Sequence, residues 1–145
     1  MKLPKLLALI LLAAIVLSAC APKSTDSMSG MNMKMAPLTG MPNDVLQSAK
    51  SVQTAYQFAV ANPDVMKQIP CYCGCGSAGH TSNYACYVKN DDGGKITYDL
   101  HATGCSICVD ITQDTMRMLG EGKNIQEIKA SVDSTYSRFG PSNMK

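Results

Sequence analysis

Apolar residues at Val45, Leu46, Ala49, Val52, Ala55, Tyr56 and Ala59 recur at steps of three and four. That spacing predicts a helix capped by Asn43 or Asp44 and running to about Ala61. Asn62-Pro63 restarts the chain, because proline fits the first turn of a helix. One or two turns over Asp64–Ile69 then stop at Pro70. A second helical period runs from Ile107 to Leu119, through Ile111 and Met116, and Gly120 and Gly122 end it. Asn124 with Glu127 has capping-box spacing and opens a last helix. Its stripe is Ile125, Ile128, Val132, Thr135 and Phe139, and Gly140-Pro141 stops it.

Between these helices the pattern changes. Cys71 to Gly79 (CYCGCGSAG) is loop by composition. Tyr84–Val88 and Lys95–Leu100 are short aromatic and β-branched runs around Asn90-Asp91-Asp92-Gly93-Gly94, which predicts a small hairpin with those five residues as its turn. The fold class expected is mainly α: one small domain of three to four helices around a cysteine-rich central loop, with a short β-hairpin. There is no internal repeat and no βαβ alternation.

The N-terminal stretch has a different character. Two lysines within Met1–Lys5 precede a thirteen-residue apolar run, Leu6–Ser18. A membrane span needs about 20 residues, so the pattern reads as a secretory signal. It ends in Leu17-Ser18-Ala19-Cys20, which looks like a bacterial lipobox. Residues 1–19 are then a lipoprotein signal peptide, with a diacylglyceryl lipid on Cys20. Residues 20–42 are a lipidated tether, 43–140 the cysteine-rich helical domain and 141–145 a tail. More than one acyl chain holds a protein stably at a membrane, so the expected location is extracytoplasmic, lipid-anchored to a bacterial membrane. That compartment permits disulfides.

The full chain carries 13 Lys and Arg against 11 Asp and Glu. Loss of Lys2 and Lys5 with the signal leaves 11 of each and a net charge of zero. No long-range field then steers the domain to nucleic acid. The tether has no apolar period but holds five of the ten methionines: Met28, Met31, Met33, Met35 and Met41. It reads as a flexible linker. Thioether sulfur also suits Cu(I), which makes these residues auxiliary ligand candidates.

The domain is small and poor in large aromatics, so a metal or disulfide staple is expected on physical grounds. Six cysteines remain for it: Cys71, Cys73, Cys75, Cys86, Cys105 and Cys108. In an extended chain residues 71, 73 and 75 would point the same way about 6.5–7 Å apart, too far for one ion, although Gly74 allows a bend. Cys105-Ser106-Ile107-Cys108 is a C-x-x-C at a helix entrance, where the dipole lowers a thiol pKa. Val109 stands where covalent haem attachment needs histidine. The chain's two histidines, His80 and His101, both fall within the cysteine segment. Cysteine with neutral histidine suits zinc or copper.

Pro70-Cys71-Tyr72-Cys73-Gly74-Cys75-Gly76 resembles the signature of the bacterial lipoproteins named for a PCYCGC motif. The resemblance extends through Gly79-His80, Cys86-Tyr87-Val88, His101-Ala102, the C-x-x-C at 105–108, and Asp133 and Tyr136 in the last helix. Tyr87 stands where phenylalanine is expected. The resemblance implies the architecture and the lipid anchor; it does not supply a metal or an activity.

Three readings follow. The first is a lipid-anchored protein that binds copper, or next zinc, through Cys71, Cys73, Cys75, Cys86, Cys105, Cys108, His80 and His101. Its partner would be a metal-handling or redox protein of the cell envelope. The second is an interaction module stapled by disulfides or zinc. The third is a thiol–disulfide redox partner using Cys105 and Cys108. The chain shows no Ser/His/Asp pattern, no paired carboxylates in an apolar setting and no phosphate-binding glycine loop, so no catalytic residue is assigned.

Overall fold

The computed structural model describes residues 33–145. The apolar run, Cys20, Met28 and Met31 lie outside the described residues. Among the described residues there are five helices: α1 (Asn43–Leu46), α2 (Lys50–Ala61), α3 (Pro63–Met66), α4 (Ser106–Gly120) and α5 (Ile125–Tyr136). None is long and apolar enough to cross a membrane. A two-stranded antiparallel ribbon, β1 (Val88–Asp92) and β2 (Lys95–Tyr98), lies between α3 and α4 in sequence. Helix α2 packs on α4, and α4 on α5. The mainly α fold with a cysteine-rich loop region is the one the pattern predicts.

The expected helix over 43–61 is two helices. Ala49 is extended, at φ −56° and ψ 152°. The Gln53 side chain holds the break, donating from Nε2 to the carbonyls of Leu46 at 2.8 Å and Ser48 at 2.9 Å. Those carbonyls would otherwise be orphaned at the end of α1. The hairpin also departs from expectation. Asn90, Asp91 and Asp92 belong to β1, and the turn is Gly93-Gly94 alone. Both glycines have positive φ, 61° and 99°, as a two-residue turn matched to strand twist requires. Tyr84–Cys86 is a turn of 3₁₀ helix rather than strand.

The buried stripe of α4 is Cys108, Ile111, Thr112, Thr115, Met118 and Leu119, with Val109 beside it. Two threonines occupy it because their hydroxyls bond back to carbonyls four residues earlier, Thr112 to Cys108 at 3.0 Å and Thr115 to Ile111 at 2.8 Å. No polar atom of theirs is left unpaired inside. Helix α5 opens with both halves of the capping box between Asn124 and Glu127. Its buried residues are Ile128, Val132 and Tyr136. Thr135 is exposed, and Phe139 is 50% exposed in a final 3₁₀ turn, so neither belongs to the stripe. Tyr136 replaces them, with its hydroxyl donating to Asp114 of α4 at 2.7 Å.

The stretch expected to be a linker is, at its C-terminal end, part of the domain. The Ala36 amide donates to the Gln57 carbonyl at 2.9 Å, and Gln57 Nε2 returns a bond to the Ala36 carbonyl at 2.8 Å. Asn62 Nδ2 reaches the Lys34 carbonyl at 2.8 Å. Met41 is 5% exposed within the core, and Met33 packs against it from outside, beside Gly120 at the far end of α4. Truncating a buried methionine leaves a cavity. Met41→Ala should therefore lower stability by about 2–5 kcal/mol, read as a shifted denaturant midpoint. An unchanged midpoint would mean that this stretch is not docked.

Candidate metal centre

Three segments bring the cysteines together. The first is the PCYCGC loop. Gly74 takes φ 84°, a left-handed conformation, and Cys75–Ala78 then turns as 3₁₀ helix. That bend overturns the extended-chain expectation: Cys71, Cys73 and Cys75 have their sulfurs all within 4.8 Å of one another. The second segment carries Cys86 on the 3₁₀ turn. The third is Leu100–Cys108, where His101 lies on a 3₁₀ turn, Cys105 stands just before the first residue of α4 and Cys108 sits in its first turn.

The sulfurs pack closely. Cys71 Sγ lies 3.5 Å from both Cys73 Sγ and Cys108 Sγ, and Cys73 Sγ is 3.5 Å from Cys108 Sγ. Cys86 and Cys75 are 3.7 Å apart, and Cys105 and Cys108 3.1 Å. All six are free thiols in the structure. A disulfide would hold sulfurs at about 2.05 Å. Thiolates around a tetrahedral ion at about 2.3 Å stand about 3.8 Å from one another. Most of the observed separations are close to that second value.

Both histidines join the cluster. His101 Nε2 is 3.5 Å from Cys73 Sγ, and the two imidazoles meet edge to face with centroids 5.1 Å apart. Asp99 supports both. One carboxylate oxygen accepts the His101 backbone N–H at 2.8 Å, and the other lies 3.4 Å from His80 Nε2. His80 Nδ1 is buried without a hydrogen-bond partner. A ring nitrogen left open while a carboxylate takes the other is the arrangement of a metal-ligating histidine.

Four groups of donors lie within 4.8 Å mutual reach: Cys73, His101, Cys105 and Cys108; Cys75, His80, Cys86 and His101; Cys71, Cys73 and Cys75; and Cys71, Cys86 and Cys108. Every cysteine and histidine singled out in the domain therefore falls in at least one group. Met28 and Met31 lie outside the described residues. Met33 and Met41 pack as described above, and Met35 is exposed. Met33 adjoins Gly120, and twelve residues of helix at 1.5 Å each put about 18 Å between Gly120 and Cys108.

The electrostatics of the cluster differ from the helix-dipole expectation. The Cys108 thiol is pushed well up, first by its hydrogen bond to Cys71, then by that to Cys86 and by burial. Cys71 is instead held down, because Cys108 and then Cys86 donate to it. Burial, with the contact to its cysteine neighbours, pushes Cys73 up, and burial also raises Cys75. The contact with Cys108 lowers Cys86, but its bond to Cys71 and burial outweigh that and raise it overall. Like charges crowded this closely disfavour one another's ionisation.

Sequence reasoning missed three supports. Asp99 is one, with only its place two residues before His101 as a signal. The second is the packing beneath Cys108: the Tyr87 hydroxyl lies 2.9 Å from the Cys108 carbonyl and 2.7 Å from Thr112 Oγ1, and Asn83 Nδ2 donates to Thr112 at 2.9 Å. The third is the segment after α5, expected to be a tail. Asn143 accepts the Cys71 amide on Oδ1 at 2.7 Å, donates its own amide to the Cys71 carbonyl at 3.0 Å, and sets Nδ2 3.5 Å from Cys75 Sγ. Gly140 makes this crossing possible, since a Cβ there would lie 3.0 Å from the Tyr72 carbonyl oxygen.

A model of the family described as "Protein of unknown function with PCYCGC motif" matches residues 9–142, and the chain belongs to that family. No curated protein and no solved structure matches it. Asn143→Ala removes the side-chain partners of the Cys71 amide and Cys75 sulfur. It should cost about 1–3 kcal/mol and speed alkylation of Cys75, while a wild-type alkylation rate would show that Asn143 does not cover the loop.

Proposed function

We propose that this PCYCGC-family chain is a lipid-anchored, extracytoplasmic protein that binds a soft metal ion through its Cys/His cluster, copper as Cu(I) first and Zn(II) next. The observation that carries the reading is the set Cys73, His101, Cys105 and Cys108, whose donor atoms lie within 4.8 Å of one another. Three sulfurs and one imidazole make a complete tetrahedral shell for zinc. Soft thiolates equally suit Cu(I), and the sulfur-rich composition of the whole cluster puts copper first. The closed shell fits holding or passing on an ion rather than catalysis, which needs an open position.

The lipobox supports the anchor. Cys20→Ser should abolish incorporation of labelled fatty acid and release the protein from the membrane fraction. Labelling that survives the substitution would contradict the anchor.

A specific contact favours a second reading, a thiol–disulfide redox partner: Cys105 and Cys108 are the closest sulfur pair, at 3.1 Å. Metal content and free thiols measured on one sample test the metal reading. Near-stoichiometric copper or zinc, with thiols that react only after chelation, is expected. Absence of metal together with absence of free thiols would replace the metal reading with a disulfide-stapled module.

A further inference from the structure

Eight donors converge here, twice what one tetrahedral ion uses. They fall into overlapping groups, two of which hold four donors and share His101. Cys73, His101, Cys105 and Cys108 form one set. Cys75, His80 and Cys86 form another with the same His101, and Cys71 groups with Cys73 and Cys75 on one side and with Cys86 and Cys108 on the other, so that two ions, one of them taking His101, would draw their last donor from Cys71. Cys71 also touches Cys73 and Cys108 of the first set, at 3.5 Å each. Its sulfur therefore lies between the two sets.

The sets open to solvent separately. A cleft of about 330 Å³ is lined by Ala102, Gly104, Cys105 and Asp110 and reaches the first set. A second, of about 350 Å³, is lined by Gly79, His80, Thr81 and Asn143 and reaches the other. His80, whose buried Nδ1 has no hydrogen-bond partner, belongs to this second set. An ion held by the first four donors would leave it as lone as before.

We infer that the centre takes two soft metal ions: one on Cys73, Cys105, Cys108 and His101, the other on Cys75, Cys86 and His80, with the Cys71 thiolate between them completing the second shell. Because metal-bound thiolates have given up their protons, sulfurs 3.5 Å apart can all be anionic only when cations lie among them. The inference rests on the metal reading of the preceding subsection, and its failure is separable from the failure of that reading.

The test is native mass spectrometry of the full chain in detergent, titrated with Zn(II) and, under reducing anaerobic conditions, with Cu(I). Two ions per chain are expected with either metal. Cys105→Ser, which puts a good cap residue at the start of α4, should retain one ion. His80→Gln should also retain one, and the two variants should differ in which cysteines alkylate. A wild-type endpoint of one ion would overturn the two-ion centre and leave a one-ion site standing. An endpoint of zero would overturn both. Loss of all metal in either folded variant would overturn the division into two sets. Should a variant fail to fold, the wild-type endpoint still decides between one ion and two.

Discussion

The convergence of three loop segments on the first turn of α4 is the constraint from which the rest of the structure follows. The PCYCGC loop, the 3₁₀ turn bearing Cys86, and the stretch from Leu100 to Cys105 carry little regular structure to pair their backbones. They are held by what their side chains meet at Cys108. Four of the six sulfurs are buried, at the place where a larger domain would put leucine or phenylalanine. Tyr56 and Tyr87 pack edge to face beneath them, and the Tyr56 hydroxyl donates to the Asp99 carbonyl at 2.8 Å. The hairpin end that carries Asp99 and His101 is therefore tied to α2, and α2 is tied to α4. Helices, hairpin and the segment after α5 act together as a frame around a polar, sulfur-rich centre.

A frame of this kind has an electrostatic consequence. Without a cation, burial and neighbouring thiols push Cys73, Cys75, Cys86 and Cys108 up, while contacts from Cys108 and Cys86 hold Cys71 down. Cations reverse the preference, because each coordinated sulfur must be deprotonated. Metal uptake at this cluster, as proposed, would release protons and replace weak thiol contacts with coordinate bonds. For a domain with a modest apolar core, that binding energy adds directly to folding stability. The same surroundings bury four of the six sulfurs, which limits their access to oxidants.

Much of this was legible in the sequence. Helical periodicity located α2, α4 and α5, and the signature residues together with the two histidines named every donor in the cluster. What was not legible has identifiable causes. Spacing along an extended chain misjudged Cys71, Cys73 and Cys75, because one left-handed glycine folds the loop back on itself. The period between Val45 and Ala59 runs straight across a break that only the Gln53 side chain explains. Thr112 and Thr115 look polar until their hydroxyls are seen bonded to their own helix. Asn143 lies 72 residues from Cys71, and no local pattern connects them. Soft-ligand chemistry drew attention to the methionines; of those among the described residues, Met41 serves the core and Met33 sits at the end of α4 away from Cys108.

The central claim is that cysteine and histidine side chains of one folded cluster form the first coordination shell of a bound ion. X-ray absorption at the metal edge, on the full chain purified with its metal, addresses that most directly. A shell dominated by sulfur at about 2.3 Å with a minor imidazole contribution is expected. A shell of oxygen and nitrogen alone would contradict it, because the ion would then be bound somewhere other than this cluster.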